Sequence, residues 1–275
     1  MSVKIDELID IVEKLAPVEY AYKWDNVGLQ LGSKNDNIKK VLTTLEVTES
    51  VLDEAIENNV NMVISHHPMI FSSLKKIIKE DLKGKLIYKA IQNNIAIYAT
   101  HTNIDVAPGG LNDYIANLLE MTDAQVLEET DRSINPVDNE ISINGIGRVG
   151  KLEKSKTLEE LIEEIKKQIN IEHVTVAGDL KANIEKIAII NGRGAGLITL
   201  AIHKGCQCVI TGDVKYHDAQ DAISQGINVI DIGHYHGEKF FPEFLANYLS
   251  KKTMEKGLNV EIIPSTVDIN PFKIV

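Results

Sequence analysis

The sequence predicts an α/β fold, and three observations point to it. Short apolar runs alternate with amphipathic segments along the whole chain. A helix–turn–strand pattern recurs in the two halves. The hydrophobic content is an ordinary 44% while aromatics reach only 5%, so aliphatic side chains must build the core. At 275 residues there is room for two subdomains, expected at 1–125 and 126–275, with helices packed on mixed sheets.

In order, Ser2 is placed to cap a first helix that carries Ile5, Leu8, Ile9, Val12 and Leu15 on one face, and Pro17 ends it. A loop with "KWDNVGLQLG" leads to a strand in "KVLTTLEV". Thr48 caps the helix "ESVLDEAIENN", and the strand "NMVIS" follows. A helix over 83–93 precedes the strand "IAIYAT", the loop "HTNIDVAPGG" and the helix "LNDYIANLLEM". Residues 122–139 look like a polar connector, and "EISINGIGRVG" like a strand and turn. Thr157 caps "TLEELIEEIKKQI", an acidic helix with a solvated face and charge pairs at i,i+4. "HVTVAG" and "IEKIAII" are strands, and "NGRGAG" turns into the helix "LITLAIHKG". Strand "CQCVITG", helix "KYHDAQDAISQG", strand "INVIDIG", helix "GEKFFPEFLANYLSKKT" and strand "LNVEIIP" complete the chain.

The two halves echo each other. Ala55 and Ile64 align with Ala201 and Ile210 at an offset of 146, and "AIYATH" aligns with "VIDIGH" at 133, setting His101 opposite His234. A duplicated α/β unit places chemistry beyond the carboxyl ends of its strands, where loops diverge and leave a crevice.

The formal charge of −11 argues against general binding of nucleic acid or anionic membrane, but not against an anionic substrate at a locally cationic site. Cys206 and Cys208, in an apparent strand, are expected to be buried reduced thiols. The first segment is an amphipathic helix rather than a signal peptide, and no apolar run approaches the ~20 residues of a membrane span. A cytoplasmic location is expected.

"VISHHPMIF" is the most informative stretch. A β-branched run ends in His66 and His67 and a proline. Eight histidines in 275 residues need no explanation by themselves. Yet Asp105 follows another strand, and His234 and Glu238 follow a third, in "GHYHGE". Imidazole and carboxylate together suit zinc, iron, manganese or nickel. Three neutral imidazoles and two carboxylates carry −2, so two divalent ions would leave +2 and favour a bridging hydroxide. Five candidate ligands favour two ions over one.

"VISHHPMIF", "THTNIDVAPGGLND", "TGDVKYHDAQDA", "DIGHYHGE" and the early "WDNVGLQLG" together resemble the dinuclear-metal-centre family of GTP cyclohydrolase I type 2 homologs, over essentially the whole chain. The resemblance is to the short form, without the domain some members insert mid-chain. It implies metal ligands at His66, His67, Asp105, His234 and Glu238, two intertwined α/β subdomains, and a ring-shaped homohexamer whose sites face an interior cavity. One departure is visible: Glu46 stands in "LEVT" where similar sequences have aspartate.

Around such ligands, Glu46, Asp213 and Asp231 are candidate acceptors for the second imidazole N–H. His101, four residues before Asp105, is a candidate general acid or base, and His217 has similar standing. Lys215 is a candidate contact for an anionic substrate. His236 is a weaker ligand candidate than His234. "NGRGAG" lacks the sixth-position glycine of a dinucleotide fingerprint, so Gly192, Gly194 and Gly196 are expected to permit a tight strand-to-helix turn. Trp24, the only tryptophan, is expected in the core, with packing against the site or an oligomer interface as the alternative.

The expected function is a metal-dependent hydrolase, with a small molecule or nucleotide as substrate; GTP ring opening is implied by the resemblance, and phosphoester hydrolysis is close behind. The alternative is a metal-binding regulatory or interaction protein without turnover.

Overall fold

The apolar runs that are too short for helices pair side by side in both halves. The computed structural model describes residues 3–134 and 141–274, so the Ser2 cap and the end of the expected connector lie outside the described residues. The chain forms two units, 1–104 with 240–275, and 105–239. These divisions differ from the expected one at 125: the C-terminal segment returns to the first unit.

The first unit is built on a five-stranded sheet in the order Glu261–Pro264, Lys40–Thr44, Met62–Ser65, Ala96–Ala99, Gly28–Leu31. All neighbours are parallel except the last pair. Met62–Ser65 and Ala96–Ala99 are buried at every position, which is why they read as continuous apolar runs and not as alternating ones. Helix Ile5–Leu15 buries Ile5, Leu8, Ile9, Ile11 and Val12. Helix Glu49–Glu57 starts at Thr48, whose side chain accepts the Val51 N–H at 3.2 Å. With helix Leu82–Gln92 it closes a core of Leu42, Leu52, Val63, Leu86 and Ile97.

The second unit carries a six-stranded sheet in the order Thr122–Ile134, Ile141–Thr157, Asn183–Arg193, Cys208–Gly212, Asn228–Asp231, Thr175–Ala177. The third to fifth strands are mutually parallel, and the remaining neighbours are antiparallel. Residues from Thr122 to Ile134 are therefore a strand and not a connector. The strand lies at the sheet edge and is largely exposed, so its polar composition carries no period-2 signal; its partner strand supplies the ladder.

The internal echo has a topological counterpart. In each unit three parallel strands occur in chain order, and an antiparallel strand that precedes them in sequence flanks the third. Met62–Ser65 corresponds to Cys208–Gly212, and Ala96–Ala99 to Asn228–Asp231. Among the described residues no helix is long and apolar enough to cross a membrane.

Candidate functional site

In the first unit Thr44, Ser65 and Ala99 stand abreast at the strand ends. The ladder continues one step further through His66 N–H to Thr44 O, His67 N–H to Leu45 O and Thr100 N–H to Ser65 O. The following residues, Glu46, His66, His67 and His101, therefore emerge at one edge.

Three imidazoles meet there. His66 and His67 have ring centroids 5.1 Å apart, and His101 lies 5.2 and 5.5 Å from them. One ring nitrogen from each lies within 4.8 Å of the others. Every one of these rings is held through Nδ1. His66 donates to Thr100 O at 3.0 Å, His67 to Glu46 Oε2 at 2.7 Å, and His101 to Asp25 Oδ1 and Oδ2 at 2.9 and 3.0 Å. Carbonyl and carboxylate oxygens only accept, so Nδ1 carries the proton and a neutral ring turns its lone pair out at Nε2. This is how metal-ligating histidines are oriented by their surroundings. His66 is fully buried and packs on buried Phe241, at 5.0 Å between centroids.

Asp25 was not singled out in the sequence. It lies in the quoted "KWDN" stretch, but nothing local separates it from a solvated loop acid. In the structure its side chain is buried and accepts from Thr102 N–H at 3.1 Å and Thr102 Oγ1 at 2.6 Å as well as from His101. Burial pushes its carboxyl up, but the hydrogen bonds from His101 and Thr102 outweigh this and bring it down to about 2. Glu46 is likewise opposed by burial and held below the ordinary value by the hydrogen bond and charge of His67. The aspartate-to-glutamate departure thus keeps a carboxylate on His67.

The second unit builds its own cluster. Helix His234–Glu238 starts after Gly233 (φ 79°) and puts His234 and Glu238 on one face, with Nε2 and Oε2 3.1 Å apart. His234 Nδ1 donates to Asp213 Oδ2 at 2.8 Å. Asp213 reaches that position in the left-handed region, φ 56°, which aspartate tolerates better than most residues. Gly212 precedes it because a Cβ there would meet the His234 backbone N at 2.6 Å. Asp231 has a different task from the one considered for it. Its carboxylate accepts the N–H groups of Val214 and Gly233, both at 2.8 Å, and clamps the two loops.

The "NGRGAG" glycines separate by role. Gly192 lies at φ 62°, and a Cβ there would meet Glu238 Oε1 at 2.5 Å and His234 Nε2 at 3.4 Å. Gly194 is packed against Ile190 and Thr211, while a Cβ at Gly196 would meet nothing within 4 Å among the described residues. Asn112, also missed, donates from Nδ2 to Asp105 O at 3.0 Å and accepts Asn191 N–H at 3.0 Å. It ties the segment of Asp105, a buried residue on the short helix Thr102–Val106, to the Gly192 turn. Only the "LND" context hinted at it.

Lys215 and His217 are exposed at the start of helix Tyr216–Ser224, and the Lys215 N–H donates to Asp218 Oδ2 at 3.2 Å. Neither belongs to the His234 cluster hydrogen bonds described above. His236 is half-buried, its Nδ1 3.0 Å from Ile232 O, and burial pushes its pKa down. Trp24 is not a core residue: it is 59% exposed, because the loop it occupies is fixed through the neighbouring Asp25 and not through its own burial.

The family profile Duf34/NIF3 (NGG1p interacting factor 3) matches residues 3–271. The chain is 36% identical over 273 residues to the GTP cyclohydrolase 1 type 2 homolog of Clostridium acetobutylicum, covering 99% of both. It is 37% identical over 273 residues to the protein of that name from Clostridium perfringens, covering 99% of this chain and 100% of the relative. Its fold is similar to a Bacillus cereus protein related to NIF3, with a TM-score of 0.93 at 29% identity over 100% of this chain and 99% of the other. Staphylococcus aureus protein SA1388 matches with a TM-score of 0.91 at 30% identity over all of both chains. The chain belongs to the Duf34/NIF3 family.

Proposed function

We propose that this chain is a dinuclear metal-dependent hydrolase of the GTP cyclohydrolase type 2-like or nucleotide and phosphoester class. Its ligands are His66 and His67 in the first unit and Asp105, His234 and Glu238 in the second. The observation that carries this reading is the common anchoring of His66, His67, His101 and His234: each Nδ1 faces an oxygen acceptor at 2.7–3.0 Å. Such rings present unprotonated Nε2 donors, and with carboxylates they form a set that fits zinc, iron, manganese or nickel. Bound divalent ions would supply Lewis acidity and lower the pKa of water.

The remaining work falls to the chain itself. His101 stands beside His66 and His67 and moves the proton, as general acid or base. Asp25, an anion at neutral pH, fixes the His101 tautomer and stabilises the imidazolium formed when it accepts a proton. Glu46 and Asp213 hold His67 and His234 in orientation. The active protein is proposed as a cytoplasmic homohexamer acting on a small molecule, in line with the nucleotide-related names of its relatives.

The test is elemental analysis of protein equilibrated with Zn²⁺, Mn²⁺ or Fe²⁺, followed by assays on GTP and generic phosphoesters. Two ions per chain, fewer in His67→Ala and Glu238→Ala, with turnover that falls about 10²–10⁴-fold in His101→Gln at unchanged metal content, is the expected result. Two ions retained without turnover on any of these substrates would instead identify a metal-binding regulatory protein. Failure to bind ions at all would remove both readings.

A further inference from the structure

We propose that Tyr22, Trp24 and Phe71 form a stacking platform for the planar heterocyclic ring of the substrate, a nucleobase, beside His101. The proposal rests on the hydrolase reading and deepens it by naming the part of the substrate that is gripped.

Trp24 and Phe71 are arranged as a surface, not as a core, with half-buried Tyr22 against Trp24. Tyr22 and Trp24 are stacked, 5.5 Å between centroids and 10° between planes. Phe71 lies 6.1 Å from Trp24 at 57°. Trp24 is 59% exposed and Phe71 50% exposed. In a chain with only 5% aromatic residues and one tryptophan, this grouping of large exposed rings is not what a solvated loop needs.

Its position ties it to the chemistry. His101 meets Trp24 edge-on at 6.3 Å and Phe71 at 6.4 Å, and the same His101 ring lies 5.2 Å from His66. Trp24 and Phe71 directly flank functional segments: Trp24 precedes Asp25, and Phe71 ends the "HHPMIF" run.

The platform is also preorganised. Asp25 is locked by Thr102, whose Oγ1 also accepts the Tyr22 N–H at 3.1 Å. The two loops are pinned together, with Ile70 N–H donating to Gln30 Oε1 at 2.9 Å and Gln30 Nε2 donating to Ile70 O at 3.1 Å. Asn26 Nδ2 donates to the same Ile70 carbonyl. Rings held this way lose little freedom on binding, and every nucleobase offers a π-face to them. An aliphatic or ring-free phosphoester has no use for such a surface.

Because Trp24 is the only tryptophan, its emission reports on the platform directly. Metal-loaded protein, excited at the red edge of the tryptophan band, would be titrated with guanosine, GTP and, as probes without a nucleobase, ribose 5-phosphate and pyrophosphate. Saturable quenching by guanosine and GTP, absent with the probes that lack a nucleobase, is expected. Calorimetry should then show Trp24→Phe binding GTP nearly as wild type and Trp24→Ala binding it roughly 5- to 100-fold more weakly. Metal content and thermal midpoint should be unchanged in both variants, which separates lost stacking from lost folding or lost metal. Equal quenching by the probes that lack a nucleobase, or wild-type GTP affinity in Trp24→Ala, would overturn the platform. So would Trp24 emission that shifts only with protein concentration and ignores guanosine, which would mean that a second copy of the chain covers these rings. Ring binding without any hydrolysis would keep the platform and sink the hydrolase.

Discussion

Gly192 carries no side chain because there is no room for one: a Cβ would sit 2.5 Å from Glu238 Oε1, and the residue is in the left-handed region. Gly192→Ala should therefore lose about 1–2 kcal/mol from backbone strain alone and displace Glu238 as well. Gly196→Ala, four residues on with open space around it, should change stability by no more than ~1 kcal/mol. Thermal midpoints and metal titrations of the two variants check this contrast. Asp213→Ala removes the acceptor that orients His234, and metal affinity is expected to fall about 10- to 100-fold with the fold intact, as measured by competition with a chelating dye. The two thiols behave oppositely to a reactive site. Burial pushes Cys206 up to about 11 and Cys208 higher still, so native protein at pH 8 should react with a thiol reagent only after denaturant is added.

At the scale of elements, helix Leu158–Gln168 tests how far local chemistry sets a boundary. Thr157 accepts the Glu160 N–H at 3.2 Å, and the Glu160 carboxylate accepts the Thr157 N–H at 2.8 Å. The Thr157 N–H and then the Thr157 Oγ1–H, which donates to Glu160 Oε2 at 3.0 Å, hold the Glu160 carboxyl below its ordinary value. An acid depressed in the folded state contributes stability that is full above its unfolded pKa and is lost as pH falls through the lowered one. Thr157→Ala should cost about 1 kcal/mol at neutral pH, and less in acid, in urea unfolding at the two pH values. Such boundaries were legible in the sequence: "TLEE" states the cap, and Thr48 states another. The strand Thr122–Ile134 was not legible, because a polar edge strand is specified by the partner that ladders to it and not by its own pattern. The Thr102–Val106 turn of helix, expected as loop, was equally silent at five residues.

For the molecule as a whole, the C-terminal segment differs from the boundary expected at 125 by returning to the first unit. Helix Phe241–Glu255 buries Phe241, Leu245 and Leu249, and strand Glu261–Pro264 pairs in parallel with Lys40–Thr44, so the first unit is completed by the chain's far end. Leu245→Ala is expected to cost about 2–5 kcal/mol, seen as a lower urea midpoint. The returning segment reads as an ordinary helix and strand, and nothing in its pattern says which sheet it joins. The same limit applied at the site. The strand-end histidines were visible because a buried run that stops in His66 and His67 breaks its own composition. Asp25, 76 residues before His101, was invisible because an acid in a polar loop looks like any other until its partner arrives.

Periodicity, capping and strand-end punctuation act over a handful of neighbouring residues, and from these the amino-acid order already implied an α/β chain with its histidines and acids at strand ends. Which carboxylate anchors which imidazole, why Gly192 must stay bare, and that the lone tryptophan faces outward beside His101 came from folding alone. Those outcomes depend on strand register and chain path, which bring together groups from 21 to 77 positions apart, and no local pattern encodes a distance of that kind.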